Sequence, residues 1–228
     1  LGVLYGTGSK TNADGSFDLN SNGFPQITSS PMVLGDPNPD WRGGISLNMR
    51  YKKFRLNAVL EHSQGGEFSP RTLWVLRRFG TTQETANRLT LDQPLVNYKG
   101  ATIPAGTTVR GNIEDFGGGP VLLDENWYRT GIGGGFGDNQ AYNFSIADAT
   151  WTKLRDLSLS YVLDTPVVKN IGLSDVIFTF TGRDLININN VDGIDPEINT
   201  KGVSVAQGVE YFTNPQTKGF LFSLTINY

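Results

Sequence analysis

Few side chains in this chain have the type and spacing that chemistry requires. His62 is the single histidine among 228 residues; as a catalytic base it would need a nucleophile and an orienting acid within reach. No such constellation emerges, and His62 reads as an interfacial residue at the end of a strand. The lack of cysteine removes disulfides, thiolate metal sites and cysteine nucleophiles together. Asp192, Asp195 and Glu197, set among Asn187, Asn189 and Asn190, offer oxygen ligands of the kind Ca2+ takes. Their spacing matches no calcium loop, which favours a solvated turn. The runs Gly117-Gly118-Gly119-Pro120 and Gly131-Ile132-Gly133-Gly134-Gly135-Phe136-Gly137 lead into no Gly-Lys-Ser/Thr, so they cradle no phosphate. The expectation is a protein that is not an enzyme, with no catalytic, metal-binding or cofactor-binding residue. What remains is recognition. Trp127, Tyr128, Phe136 and Tyr142 could stack on a sugar ring or meet a partner protein, or pack their own segment upon itself.

The elements that must position these residues are strands. Ile45, Leu47, Met49 and Tyr51 alternate with Ser46, Asn48 and Arg50; Phe54, Leu56, Ala58 and Leu60 alternate with Arg55, Asn57 and Val59. Only Lys52-Lys53 separates the two runs. A two-residue hairpin pairs 51 with 54, 49 with 56, 47 with 58 and 45 with 60, every pair apolar and on one face. Lys-Lys lacks the Gly or Asn that a primed turn prefers. Leu157, Leu159, Tyr161 and Leu163, then Val176, Phe178, Phe180 and Gly182, repeat the pattern. The sequence ends on Phe220, Phe222, Leu224, Ile226 and Tyr228, one face of a strand that stops on an aromatic. The opposite parity is chiefly Ser, Thr and Asn. Arg50, Arg55, Asp156 and Arg183 share that parity and are expected to line a polar lumen, pairing with one another or with a plug in preference to substrate.

Alternation also suits a soluble β-sandwich, and burying the last strand's five apolar side chains yields about 8–15 kcal/mol in lipid or in a core alike. Other features favour an outer-membrane β-barrel, whose strands cross in about 9–11 tilted residues. No Lys or Arg stands at the apolar-face positions named above, where each would cost about 2–4 kcal/mol at mid-bilayer. Tyr51, Phe54, Tyr161 and Tyr228 lie beside turns or the chain end, where an aromatic girdle belongs. The connections are lopsided as in barrels: two residues at 52–53 against about 85 at 64–148, a length that signals function or disorder. A mean hydropathy of −0.26 fits strands with one polar face. The longest apolar run is Leu73-Trp74-Val75-Leu76, too short for a spanning helix. A net charge of −3 with a pI near 5.2 argues against nucleic acid as a partner.

Several segments stand out in order along the chain. They are Gly2-Val3-Leu4-Tyr5-Gly6 with Asn12-Ala13-Asp14-Gly15-Ser16; Val33-Leu34-Gly35-Asp36-Pro37-Asn38-Pro39-Asp40-Trp41 leading to Tyr51-Lys52-Lys53-Phe54; and Trp151-Thr152-Lys153-Leu154-Arg155-Asp156-Leu157-Ser158-Leu159-Ser160-Tyr161. Thr181-Gly182-Arg183-Asp184-Leu185, Gly193-Ile194-Asp195-Pro196-Glu197 and Asn214-Pro215-Gln216-Thr217-Lys218 follow. Together they resemble the C-terminal part of the SusC/RagA-type TonB-dependent transporters. Two departures are visible: Asp184 stands where Asn is usual, and the Arg of a Pro-x-Arg-Thr pattern is missing near Gln216.

The resemblance implies an all-β fold, the C-terminal part of a large antiparallel transmembrane β-barrel of about 22 strands with long extracellular loops. Strands are expected near 43–51, 54–63, 152–163, 175–184 and 219–228, and extracellular loops near 6–42, 64–148 and 185–218. The plug domain and the TonB-contacting segment would precede Leu1, so the chain is expected to be a fragment. The function implied is TonB-dependent import of oligosaccharides, glycans or peptides across the bacterial outer membrane, with a SusD-like surface lipoprotein as lid. The alternative is a SusC-like barrel serving as a structural or docking subunit of a larger outer-membrane assembly.

Overall fold

The computed structural model describes residues 2–130, 133, 140–198 and 207–228. They fall into two compact units, Asn38–Gly66 with Asp148–Glu197 and Asn214–Tyr228, and Leu1–Pro37 with Glu67–Ala147 and Ile198–Thr213.

The first unit is one antiparallel sheet of five strands: β1 (Trp41–Tyr51), β2 (Phe54–Gln64), β3 (Trp151–Leu163), β4 (Asp175–Asn189) and β5 (Gly219–Asn227). Each strand pairs with the next in chain order, an up-and-down meander. The hairpin register sets Tyr51 opposite Phe54 and Ile45 opposite Leu60, as the alternation requires. Lys52 supplies the turn by adopting a left-handed φ of 53°.

Because side chains alternate across a strand, the register builds continuous rows over all five strands. Met49, Leu56, Leu159, Phe180 and Phe222 form one apolar row, and Leu47, Ala58, Leu157, Gly182 and Phe220 the next. Between them on the other face runs Asn48, Asn57, Ser158, Thr181 and Leu221. Exposure is the reverse of a soluble sandwich. Leu159, Phe222 and Leu224 are 47%, 66% and 52% exposed, whereas Ser158, Ser160 and Thr181 are buried. Hydroxyls bond across strands on that polar face, Ser158 to Thr181 at 3.0 Å and Ser160 to Thr179 at 2.9 Å. No described helix is long and apolar enough to cross a membrane.

The second unit is folded rather than a bare loop. Two helices, α1 (Arg71–Arg78) and α2 (Glu125–Thr130), join short ribbons such as Asn112–Asp115 paired with Pro120–Leu123. Phe24 sits at the centre of its main core, with ring centroids 5.3 Å from Tyr98 and 5.5 Å from Trp127. Leu91, Leu95 and Leu122 make a second, smaller core. Asp115 gathers the Gly117–Gly119 turn by accepting from both glycine N–H groups, at 2.8 and 3.0 Å. The left-handed φ values of 106° and 100° at these two positions are ones glycine adopts without strain. Pro70 precedes α1 and caps nothing, so the buried Glu210 carboxylate takes that role, accepting from the Thr72 N–H and hydroxyl.

Candidate functional site

The densest charge cluster grows from a bulge in β3. Leu154 and Asp156 pair with the adjacent residues Leu60 and Val59 of β2, which makes Arg155 one residue extra. A bulge switches which face the following side chains take. Without it Lys153 and Arg155 would share parity with Leu157 and Leu159; with it Lys153 joins Glu61 on the polar side and Leu154 joins Leu60. The opposing strand β4 accommodates the irregularity at Asp184, whose φ is 50°. Asp and Asn tolerate that conformation better than other non-glycine residues. Beyond it Ile186 pairs with Leu154, so β4 continues in alternation to Asn189, past the span the sequence alone indicates.

Lys153 is fully buried. Its Nζ donates to both Asp195 carboxylate oxygens at 2.8 and 2.6 Å, to Glu197 Oε2 at 2.6 Å and to Gln216 Oε1 at 3.3 Å. Arg155 donates to Glu61 Oε2 at 2.8 Å and to Glu197, with Asp184 at 3.6 Å. The Trp151 ring lies 5.0 Å from the Lys153 ammonium and 5.1 Å from the Arg155 guanidinium, within cation–π range of both. Burial pushes the Glu197 carboxyl up, but hydrogen bonds from Arg155 and Lys153 outweigh it and hold it at about 2, against an ordinary 4.5. Four of the segments that carry the resemblance therefore meet in one ionic clasp, through Lys153 and Arg155, Asp184, Asp195 and Glu197, and Gln216. The clasp pins the Asp195-Pro196-Glu197 segment to β3. Its carboxylates are spent on an ammonium and a guanidinium, and Asp192 stands exposed outside it.

The other residues singled out in the sequence lie as follows. Arg183 pairs with Asp156 at 3.8 Å across β3 and β4, on the polar face. Arg50 and Arg55 face each other across the first hairpin and are exposed. Phe220, Phe222, Leu224 and Ile226 line the apolar face of β5 and are exposed, as is the terminal Tyr228. His62 shares its ring nitrogens between Thr152 and Gln64, which gives it a structural setting. Trp127 and Tyr128 are buried in the core of the second unit, at 4% and 5% exposure. Their rings pack the excursion upon itself, and Tyr128 also lines a cavity of that unit. Tyr142 is half-buried, and Phe136 lies outside the described residues. Sequence reasoning missed the clasp because the bulge that assembles it is invisible to a strict alternation. The one signal was Lys153 and Arg155 standing on the wrong parity.

No family model matches the chain. The TonB-dependent receptor P3 of Formosa agariphila is 24% identical over 216 residues, covering 92% of this chain and 18% of that protein. The RagAB peptide importer in its closed-closed state matches with a TM-score of 0.58 at 15% identity, over 99% of this chain and 23% of the matched chain. Its open-open state gives a TM-score of 0.57 at 14% identity, over 99% and 22%. The chain thus spans less than a quarter of the length of the relatives it matches. Those relatives are a receptor and a transporter, not enzymes. By sequence along most of its length, and by its antiparallel all-β fold along nearly all of it, the chain resembles the C-terminal barrel portion of the SusC/RagA-type TonB-dependent outer-membrane transporters.

Proposed function

We propose that this chain supplies part of the wall and the loops of a TonB-dependent importer in the bacterial outer membrane. The five strands are the last of a closed barrel of about 22 strands, a size class that carries a plugged lumen. The second unit belongs to the extracellular loops, where a SusD-like lipoprotein acts as lid. The cargo is an oligosaccharide, a glycan or a peptide. One observation carries this reading: apolar rows run unbroken over all five strands on one face, with Met49, Leu159, Phe180 and Phe222 exposed, while on the inner strands the hydroxyls of Ser158, Ser160 and Thr181 are buried on the other. A water-soluble sheet that exposed such rows would aggregate, whereas lipid accepts them. The ionic clasp then lies on the lumen side and holds the 190–197 connection at the barrel end.

Import is tested by radiolabelled uptake into cells carrying the complete protein, with and without TonB. The expected result is TonB-dependent accumulation together with co-purification of one lipoprotein. Recovery of a larger machine with no TonB-dependent uptake would instead identify a docking subunit.

A further inference from the structure

A cavity of about 430 Å³ opens within the second unit. The C-terminal end of α1 gives it Arg77, Arg78 and Phe79; Arg110 enters from the short strand Thr108–Arg110, and Arg129 from α2. Four guanidinium groups around one cavity are a marked concentration in a chain with 19 basic residues and a net charge of −3. Three of these arginines are fixed by part of their hydrogen-bonding capacity. Arg77 Nε donates to Glu84 at 2.7 Å, and Arg129 Nη1 to Glu125 at 2.6 Å. Arg110 donates through Nε to the Thr85 carbonyl at 2.6 Å and through Nη2 to the Gly80 carbonyl at 2.7 Å. A guanidinium carries five N–H donors, so these contacts orient each group and leave donors for a ligand.

Three carboxylates, Glu84 on Arg77, Glu125 on Arg129 and Asp124 at the wall, stand against the four guanidinium groups, so the site keeps a small positive excess. Asp124 accepts from the side chains of Asn97 and Asn126 and from the Asn126 N–H, as the cap of α2. Glu125 answers Arg129 alone, in an exposed pair that a competing anion can replace. Phe79, 72% exposed, adds an apolar ring face at the rim. The volume lies in the lower part of the range of about 300–1,000 Å³ typical of small-ligand sites.

We infer that this cavity binds carboxylate groups of an acidic oligomer, the planar arginine forks pairing with the planar carboxylates. The cations come from three separate elements, which suits single charges spaced along a chain better than one compact polyanion. The inference deepens the import reading and rests on it for the source of the ligand. An acidic glycan and an acidic peptide share the chemistry, and the probes separate them.

The test is calorimetric titration of the complete transporter in detergent with trigalacturonate and with N-acetyl-triglutamate, each beside its neutral methyl ester. At least one acid is expected to bind about tenfold or more tighter than its ester, the scale of a charge-assisted pair. Arg77→Gln with Arg129→Gln should erase that preference, whereas Arg71→Gln, on the same helix but outside the cavity, should leave it. If the double variant does not fold, Arg129→Gln alone is read, since its side chain is 63% exposed. Equal binding of acids and esters, no binding of either acid, or an unchanged preference in the variants would overturn the inference. Uptake by TonB-positive cells is scored separately. Acid-selective binding without uptake would sink the import reading alone, and uptake without acid selectivity would sink the cavity alone.

Discussion

Lys153 has almost no water-facing surface, so its charge is stable only while Asp195 and Glu197 face it. Removing one partner of a buried pair strands the other, at a cost of about 3–5 kcal/mol. Lys153→Met is therefore expected to destabilise the protein by that amount in urea unfolding. The double variant Lys153→Met with Asp195→Leu should recover part of it, because it removes a stranded carboxylate as well. Glu197 gives the same cluster a pH signature. Its folded-state value of about 2 lies below the ordinary 4.5, so its stabilisation is complete above about pH 4.5 and is lost as pH falls towards 2. Melting temperature should fall more steeply between about pH 5 and pH 3 in the wild type than in Glu197→Gln. Parallel curves would remove Glu197 from the account.

At the scale of elements, the sheet depends on a single irregularity. The extra residue at Arg155 lets β3 present Lys153 and Trp151 to one side and Leu154 to the other, and Asp184 in β4 absorbs the mismatch with a left-handed backbone. A β-branched residue there costs roughly 1–2 kcal/mol in backbone energy alone. Asp184→Asn should be nearly neutral, and Asp184→Val should lose at least that much, as read by thermal unfolding of the two variants side by side. Equal melting points would mean that the bulge is not held by this residue. The first hairpin was legible without any of this, because Tyr51 through Phe54 leaves one register that keeps every apolar residue on one face. The bulged half of β3 and the far half of β4 were not, since period-two reasoning fails wherever one strand gains a residue.

On the scale of the molecule, the two faces of the sheet make opposite demands. Phe222→Arg and Leu159→Arg place a charge where the import reading puts hydrocarbon, and each is expected to cost about 2–4 kcal/mol on folding into lipid vesicles. Thr225→Arg, on the polar parity of the same closing strand, should cost clearly less. Comparable losses from all three would mean that neither face meets lipid. The second unit behaves differently, being held by an aromatic core around Phe24, Trp127 and Phe116. For Trp127 and Tyr128 the sequence left packing and recognition open, because it gives them no periodic setting and a ring in an irregular segment carries no mark of which way it faces; both are buried.

What the chain's order of residues determined alone was the regular stretches of the five long strands, their apolar parity and the short first turn, all of which follow from local stereochemistry and the two-residue repeat. The tertiary structure decided which distant segments meet. Asp195, Glu197 and Gln216 reach Lys153 across 42, 44 and 63 positions, and no local pattern records such a meeting. The burial of Trp127 and Tyr128 was decided in the same way. Folding chose these contacts because a buried ammonium must find carboxylates and a large ring must leave water, and only the folded backbone fixes which ones lie within reach.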